Sequence, residues 1–146
     1  MKKILYLMLV LLSGVLASCS EDGVDLSDLP EQVSSFVSKY YPGVEVDRWV
    51  NSSGKSTVYL RNSATIVFGN TADKSWISID GNGGTLPQML VYDQTPTALY
   101  RYIEENNAVN GVYSMTRDSK EYKVVLLNSR VTYDIASGKV SQNFPG

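Results

Sequence analysis

The chain has 146 residues, with 13 basic and 15 acidic side chains, one cysteine and no histidine. Without histidine there is no Ser-His or Cys-His catalytic pair, and the commonest metal-binding side chain is missing. Paired carboxylates stay open as hydrolytic groups, but no acidic pair lies in an apolar context that would raise a pKa. The scattered basic residues argue against a nucleic-acid surface. We expect a protein that is not an enzyme and needs no metal or cofactor.

The N-terminal segment has the pattern of a secretory signal. Lys2 and Lys3 precede an apolar run over residues 4–12, and the small-residue stretch "SGVLAS" follows it. A charged start, a short apolar middle and small residues at the end are typical of such signals. Crossing the hydrocarbon core takes about 20 apolar residues, and this run is shorter. The pattern therefore predicts a cleaved signal peptide over residues 1–18.

The predicted cleavage site lies within "LASC" at residues 16–19, just before Cys19, the only cysteine of the chain. These four residues resemble the lipobox of bacterial lipoproteins. The resemblance implies that Cys19 becomes the first mature residue and anchors the protein to the outer membrane through acyl chains on its sulfur and amine. Several acyl chains hold a protein to a membrane more stably than one. The alternative is an ordinary cleaved signal followed by an incidental free thiol.

The mature chain would begin with a small, polar and acidic stretch. Residues 19–27 are predicted to form a flexible tether. The acidic residues after Cys19 resemble a surface-export signal of some Gram-negative lipoproteins, although they also suit a solvated linker. Loss of residues 1–18 leaves 128 residues with 11 basic and 15 acidic side chains. We expect a secreted lipoprotein of the outer membrane, on its periplasmic face or at the cell surface.

The remaining chain matches itself at a shift of 66 residues. The matched pairs include Pro30 with Pro96, Val33 with Leu99, Phe36 with Tyr102, Val58 with Val124, Leu60 with Leu126 and Asn62 with Asn128. Such self-similarity is typical of an internal repeat. It predicts two copies of one unit, at residues 28–80 and 95–146, joined by a linker at residues 81–94 and forming one compact domain.

Each copy is predicted to begin with an amphipathic helix. In the first copy the apolar side chains at helical spacing are Val33, Phe36, Val37, Tyr40 and Tyr41, and the dipeptide "PG" ends the pattern. In the second copy Leu99, Tyr102 and Ile103 form the stripe of a helix that starts near residues 95–96. A further short helix is predicted at "LPQML" in the linker.

Short runs rich in β-forming residues follow each helix. They are "VEVDRWV", "STVYLR", "TIVFG" and "SWISI" in the first copy, and "GVYSM", "EYKVVLL", "RVTYDI" and "KVSQ" in the second. Their short connections favour antiparallel hairpins. The predicted fold class is therefore α+β, a tandem repeat of an α-helix followed by a four-stranded antiparallel sheet.

Three longer stretches carry a family resemblance. "LPEQVSSFVSKYYPGVEV", "VYLRNSATIVF" and "SWISIDGNGGTLPQML" are similar to segments of PepSY-like, or β-lactamase-inhibitor-like (BLIP-like), bacterial lipoproteins. The helix ending at residues 41–43, "YPG", is the most specific feature, whereas Ser63 and Ser129 stand where the family usually has glycine. The resemblance implies a tandem helix-plus-sheet fold with an exposed sheet face. It also implies inhibition or protein binding as the role, on likeness of fold alone.

Strand alternation predicts which residues face away from the helices. Val58 and Leu60 would lie under a helix, so their neighbours would point to an open side. The predicted binding face consists of Trp49, Tyr59, Arg61, Trp76 and Tyr113. Tryptophan, tyrosine and arginine dominate the hot spots of protein interfaces. The alternative is that Trp49 and Trp76 fold under a loop or close the seam between the two copies.

Three functions follow from these observations. The first is a non-catalytic, lipid-anchored envelope protein that binds another macromolecule, with inhibition of a peptidase or cell-wall enzyme as one form of that role. The others are an accessory or scaffold subunit of an envelope assembly and a glycan-binding surface protein.

The "DGNGG" segment offers Asp80 and Asn82 as oxygen donors but lacks the further acidic ligands of a calcium loop, so a glycine-rich linker is predicted there.

Overall fold

The computed structural model describes residues 23–145, which contain three α-helices and eight β-strands. The helices are α1 (Glu31–Tyr40), α2 (Gln88–Gln94) and α3 (Thr97–Glu105). The strands are β1 (Val46–Ser52), β2 (Lys55–Leu60), β3 (Thr65–Gly69), β4 (Trp76–Asp80), β5 (Ser114–Arg117), β6 (Glu121–Val125), β7 (Arg130–Asp134) and β8 (Val140–Asn143). None of these helices is long and apolar enough to cross a bilayer. The predicted signal peptide and Cys19 lie outside the described residues.

All eight strands form one antiparallel sheet in sequence order, from β1 to β8. The predicted tandem repeat of a helix and a four-stranded sheet is therefore wrong, because β4 and β5 pair directly. Ser78 lies opposite Thr116, and Ile79 lies opposite Met115. Two separate sheets would have left the backbone groups at the outer edges of β4 and β5 unpaired, and joining the strands satisfies them. The fold is mostly β, with three short helices.

The positions of the individual strands were predictable from alternation and turn residues. Each of the eight predicted segments overlaps an observed strand, and the largest displacement is at β5, which begins at Ser114 instead of residue 111. The short helix predicted at "LPQML" is also present, as α2. The linker at residues 81–94 therefore contains a helix, and the chain continues through α3 into the second set of strands.

The helices pack on one side of the sheet, which we call the covered face. Its buried side chains come from alternate positions of the central strands, and they include Val58, Ile66, Phe68, Ile79, Met115, Val124 and Val131. From the helices, the fully buried side chains are Val33, Val37, Leu90, Val91, Leu99 and Ile103. The rings of Phe36 and Phe68, 5.5 Å apart and perpendicular, join α1 to β3. Burial of this apolar layer is the main stabilising contribution to the fold.

A chain of hydrogen bonds ties α1 and α2 to β4. The indole Nε1 of Trp76 donates to Gln94 Oε1 at 2.9 Å, and Gln94 Nε2 donates to the Tyr40 hydroxyl at 2.8 Å. The Tyr40 hydroxyl in turn donates to Asp93 Oδ2 at 2.9 Å. A hydrogen bond from Lys39, followed by the one from Tyr40, lowers the pKa of Asp93 below its ordinary value. This network fixes the orientation of both helices on the covered face.

The segment before α1 lies against the edge of the sheet. The Val24 amide donates to the Val46 carbonyl at 2.7 Å, and a short 3₁₀ helix follows at Leu26–Asp28. A Cβ atom on Gly23 would fall 1.9 Å from the Val46 oxygen, so this close approach requires glycine. Within the predicted tether at residues 19–27, the described part therefore contacts β1.

The hydroxyl of Tyr41 is the one buried side-chain polar atom within residues 23–145 that has no hydrogen-bond partner. The residue is 8% exposed, and burial raises the pKa of its phenol to about 12. An unpaired buried hydroxyl costs stability, because its hydrogen bonds to water are lost on folding.

We expect Tyr41→Phe to leave the free energy of unfolding at neutral pH unchanged, or to raise it by up to about 1 kcal/mol. In the unfolded chain the phenol titrates near pH 10, so wild type should lose stability as the pH rises from there towards about 12. The Tyr41→Phe variant should lose less over the same range, as measured by urea denaturation at each pH. Tyr92→Phe is the matched control, because Tyr92 is 63% exposed. Equal pH dependence of all three proteins would contradict the burial of Tyr41.

Candidate interaction surface

The side of the sheet opposite the helices, which we call the open face, carries two continuous rows of side chains. Each row takes one residue from each strand, and neighbours within a row are register partners. The first row is Val50, Thr57, Val67, Ser78, Thr116, Lys123, Thr132 and Ser141. The second row is Arg48, Tyr59, Thr65, Asp80, Ser114, Val125, Arg130 and Asn143. Serine and threonine fill seven of these sixteen positions, so the open face is rich in hydroxyl groups.

Two β-bulges decide which side chains reach the open face. In β1 the register shifts between Val46 and Arg48, so Trp49 lies opposite Val58. In β4 the register shifts so that Trp76 lies opposite Phe68, although Ile79 lies opposite Ile66. An extra residue in one strand reverses the alternation beyond it. Simple alternation therefore fails in both strands that contain tryptophan.

The structure places both tryptophans on the covered face. Trp76 is 2% exposed and belongs to the core, where its indole bonds to Gln94. Trp49 is half-buried and packs against the edge of the core. Neither ring is presented on the open face, so the aromatic surface predicted from Trp49 and Trp76 does not form.

Of the other three predicted binding residues, Tyr59 lies on the open face, whereas Arg61 follows β2 and Tyr113 precedes β5. Tyr59 belongs to the second row, and the Arg48 guanidinium lies 4.2 Å from the centre of its ring. Arg61 follows β2 and forms salt bridges with Glu45 and Asp47.

Tyr113 directly precedes β5. Its backbone accepts a hydrogen bond from Gly81 at 2.9 Å and donates one to Val125 at 2.8 Å. The binding role of Tyr59, Arg61 and Tyr113 stays a prediction.

The two edges of the sheet are treated differently. At the β1 edge, Val24 forms a bridge to Val46, and the strand carries Asp47 and Arg48. At the other edge, β8 pairs with β7 and with no further strand of residues 23–145. The sequence of β8, "VSQN", has no charged residue and no proline. Proteins usually protect an exposed edge by keeping it short or with charge, proline or a covering segment, and β8 is four residues long but carries neither charge nor proline.

Two exposed apolar side chains lie near the end of β8. Leu127 is 73% exposed and Phe144 is 69% exposed, the two highest values among the large hydrophobic residues described. They line a groove of about 370 Å³ together with Val125, Arg130 and Asn143. These last three residues are the end of the second open-face row. We call the five residues the β8 corner.

No group of three or more cysteine, histidine, aspartate or glutamate side chains within residues 23–145 is arranged to hold a metal ion. In the "DGNGG" turn, Asp80 Oδ1 accepts a hydrogen bond from the Asn82 amide at 2.8 Å. The Asn82 side chain donates to Ser63 and Thr65, at 2.8 and 2.9 Å. The Asp80 side chain therefore closes the turn, and the Asn82 side chain holds the turn against the β2–β3 connection.

Comparison with known proteins finds likeness at the level of fold. No protein-family model and no curated protein matches the chain. A Bacteroides thetaiotaomicron protein, provisionally described as periplasmic and calcium-regulated, superposes with a TM-score of 0.65 at 17% identity, over 82% of this chain and 94% of that one. A Bacteroides vulgatus protein of the DUF2874 family, provisionally described as periplasmic, gives a TM-score of 0.64 at 16% identity over the same shares. A second, of unknown function, from the same species gives 0.60 at 21% identity, over 80% and 94%.

Proposed function

We propose that this chain is a non-catalytic protein of the bacterial cell envelope that binds an extended segment of a partner protein at the β8 corner. The observation that carries the proposal is the uncharged outer edge of β8, which pairs with no other described strand and lies beside two large apolar side chains that are each about 70% exposed. The envelope location is supported by the signal-like N-terminus and by the periplasmic descriptions of the three structural neighbours.

The chemistry of the edge favours an extended peptide as the occupant. An exposed strand offers a row of backbone donors and acceptors, and a partner strand satisfies them while its side chains enter neighbouring pockets. The groove between Leu127 and Phe144 would take an apolar side chain, and Arg130 beside it would take a polar or acidic group. Exposed apolar groups rimmed by polar ones are typical of protein interaction sites.

Anchoring and inhibition are parts of the proposal that rest on sequence resemblance. We propose that Cys19 is lipidated and holds the protein at the outer membrane, as the lipobox-like "LASC" implies. Membership in the PepSY-like or β-lactamase-inhibitor-like lipoproteins, with inhibition of an envelope enzyme, also stays a proposal. Glycan binding loses its main support, because neither tryptophan is presented on the open face.

Calcium regulation, named for one structural neighbour, is not extended to this chain. No three acidic side chains among the described residues are arranged to hold a metal ion, and Asp80 and Asn82 are engaged in holding their own turn. Calcium usually takes six to eight oxygen ligands, several of them from carboxylates.

The proposal is tested by photo-crosslinking in intact cells that produce the full-length chain. A photoreactive amino acid replaces Phe144 in one variant and Tyr92 in another, which is 63% exposed on α2 and serves as the control. We expect the Phe144 position to give one adduct with another protein, at a defined mass, and the Tyr92 position to give none.

Two surface variants show whether the adduct depends on the β8 corner. Leu127→Ser should reduce the adduct at position 144 at least severalfold, because it removes the opposite wall of the groove. Met89→Ser, which removes an apolar side chain 59% exposed on α2, should leave it unchanged. An adduct of twice the chain mass would indicate a second copy, and labelling of glycan alone would indicate a carbohydrate. Either result, or equal adducts at both positions, would overturn the proposal.

A further inference from the structure

Arg117, the last residue of β5, is held rigidly against Trp76. Its guanidinium carbon lies 4.2 Å from the centre of the indole ring. Its Nε donates to the Trp76 carbonyl oxygen at 2.6 Å, which fixes the direction of the guanidinium plane. The side chain is half-buried, and it lies at the opposite end of β6 from the β8 corner.

The guanidinium opens into a shallow notch of about 390 Å³. Besides Arg117 and Trp76, the notch is lined by Ser75, Ile77, Asp118, Ser119 and Tyr122. Within residues 23–145, Arg117 donates one hydrogen bond, the one from Nε, and forms no salt bridge. Its two terminal amino groups are therefore unused donors at the edge of a fixed plane.

Asp118 is the negative group nearest in sequence, and it is engaged elsewhere. Its Oδ1 accepts hydrogen bonds from the backbone amides of Lys120 and Glu121, at 2.8 and 2.9 Å. These bonds hold the pKa of Asp118 below its ordinary value, so the group is ionised at neutral pH. Its charge disfavours a doubly charged phosphate in the notch more than a singly charged carboxylate.

We propose that the notch is a carboxylate-binding site in which the terminal amino groups of Arg117 form a two-pronged hydrogen bond with the ligand. The planar guanidinium matches the geometry of a carboxylate, and lysine does not. Stacking on Trp76 and the bond from Nε hold the side chain in place before the ligand arrives, which lowers the entropy lost on binding. The ligand carboxylate is supplied by the C-terminus of a peptide or by an aspartate or glutamate side chain.

The experiment titrates the full-length, ¹⁵N-labelled chain in detergent micelles with three probes. The probes are acetyl-Gly-Gly with a free C-terminal carboxylate, the same peptide as its C-terminal amide, and acetyl-Glu-amide. We expect the carboxylate probes to shift the Arg117 Nε–H and Trp76 Nε1–H signals, with a dissociation constant of about 1 mM, and the amide peptide to leave them unmoved. The carboxylate probe with the lower dissociation constant shows whether the ligand is a C-terminal carboxylate or an acidic side chain.

Variants separate binding from a merely structural role of Arg117. Arg117→Lys keeps the charge and should bind the carboxylate about tenfold more weakly, because the fork is lost. Arg117→Gln should abolish the shift of the Trp76 signal, whereas Lys120→Gln, which alters an exposed neighbouring cation, should change affinity less than about twofold. Circular dichroism confirms that each variant is folded. Absence of any carboxylate-dependent shift in wild type, or equal shifts with Arg117→Lys, would overturn the proposal.

Discussion

Replacing Trp76 by alanine is expected to lower the free energy of unfolding by about 3–5 kcal/mol. The side chain is 2% exposed, and its indole is the largest ring that is fully buried in the core. Alanine would leave a cavity, and it would also leave the Gln94 side-chain oxygen without the donor that it has in the folded chain. Equilibrium urea denaturation of the full-length chain, followed by circular dichroism, measures the change.

Two companion variants make the result specific to burial. Trp76→Phe keeps most of the apolar surface and loses the bond to Gln94, so it should cost about 1–2 kcal/mol. Tyr59→Ala removes a half-buried aromatic ring from the open face and should cost about 1 kcal/mol or less. If Trp76→Ala cost no more than Tyr59→Ala, Trp76 would have to lie outside the core.

The strands and helices could be predicted because their signals are local. Val33, Val37 and Tyr40 recur at helical spacing and are buried in α1. Val58 and Leu60 alternate with more exposed side chains and are buried in β2. Each of these patterns depends only on residues within one helix or strand, so it can be recognised without knowing what that helix or strand packs against.

The number of sheets could not be predicted, because it depends on a pairing between distant residues. β4 ends at Asp80 and β5 begins at Ser114, and the residues between them form α2 and α3. Self-similarity at a shift of 66 residues indicates related segments, but it does not say whether they share one sheet or form two. In the structure β4 and β5 pair with each other, so their facing backbone groups are hydrogen-bonded and all eight strands belong to one sheet.

The placement of the tryptophans was missed for a different reason. A β-bulge adds one residue to a strand, so residues three apart across the bulge, instead of two apart, lie on the same face. In β4 this puts both Trp76 and Ile79 on the covered face, with Ile77 between them. No feature of "SWISI" marks the bulge, since serine, isoleucine and tryptophan all fit a regular strand.

The β8 corner also could not be predicted from the sequence, although its residues lie in or next to predicted strands. Leu127 belongs to a run that was predicted as strand, and Phe144 follows the last predicted strand. Their exposure depends on β8 being an outer strand, and the order of strands in the sheet sets this. A short, uncharged strand near an apolar side chain indicates an interaction site only if the strand lies at the edge of the sheet, and this is known only from the strand order.

The continuity of the sheet leads to a second large effect, from Ile79→Ala. Ile79 is fully buried in β4 and lies opposite Ile66 on one side and Met115 on the other, so it touches both sets of strands. We expect a loss of about 2–5 kcal/mol in the free energy of unfolding. Because one core joins all eight strands, we also expect a single cooperative unfolding transition. The substitution should therefore lower the free energy of unfolding of every strand by the same amount.

Native-state hydrogen exchange of the full-length chain measures this directly. In the Ile79→Ala variant the slowest-exchanging amides of β2 and β3 should lose the same free energy of protection as those of β6 and β7, because all of them exchange through global unfolding. Val50→Ala is the control, since Val50 is 40% exposed on the open face and its loss should change protection by about 0.5 kcal/mol or less. If protection fell in β2 and β3 but not in β6 and β7, the two sets of strands would unfold independently, and the single eight-stranded sheet would not be the cooperative unit.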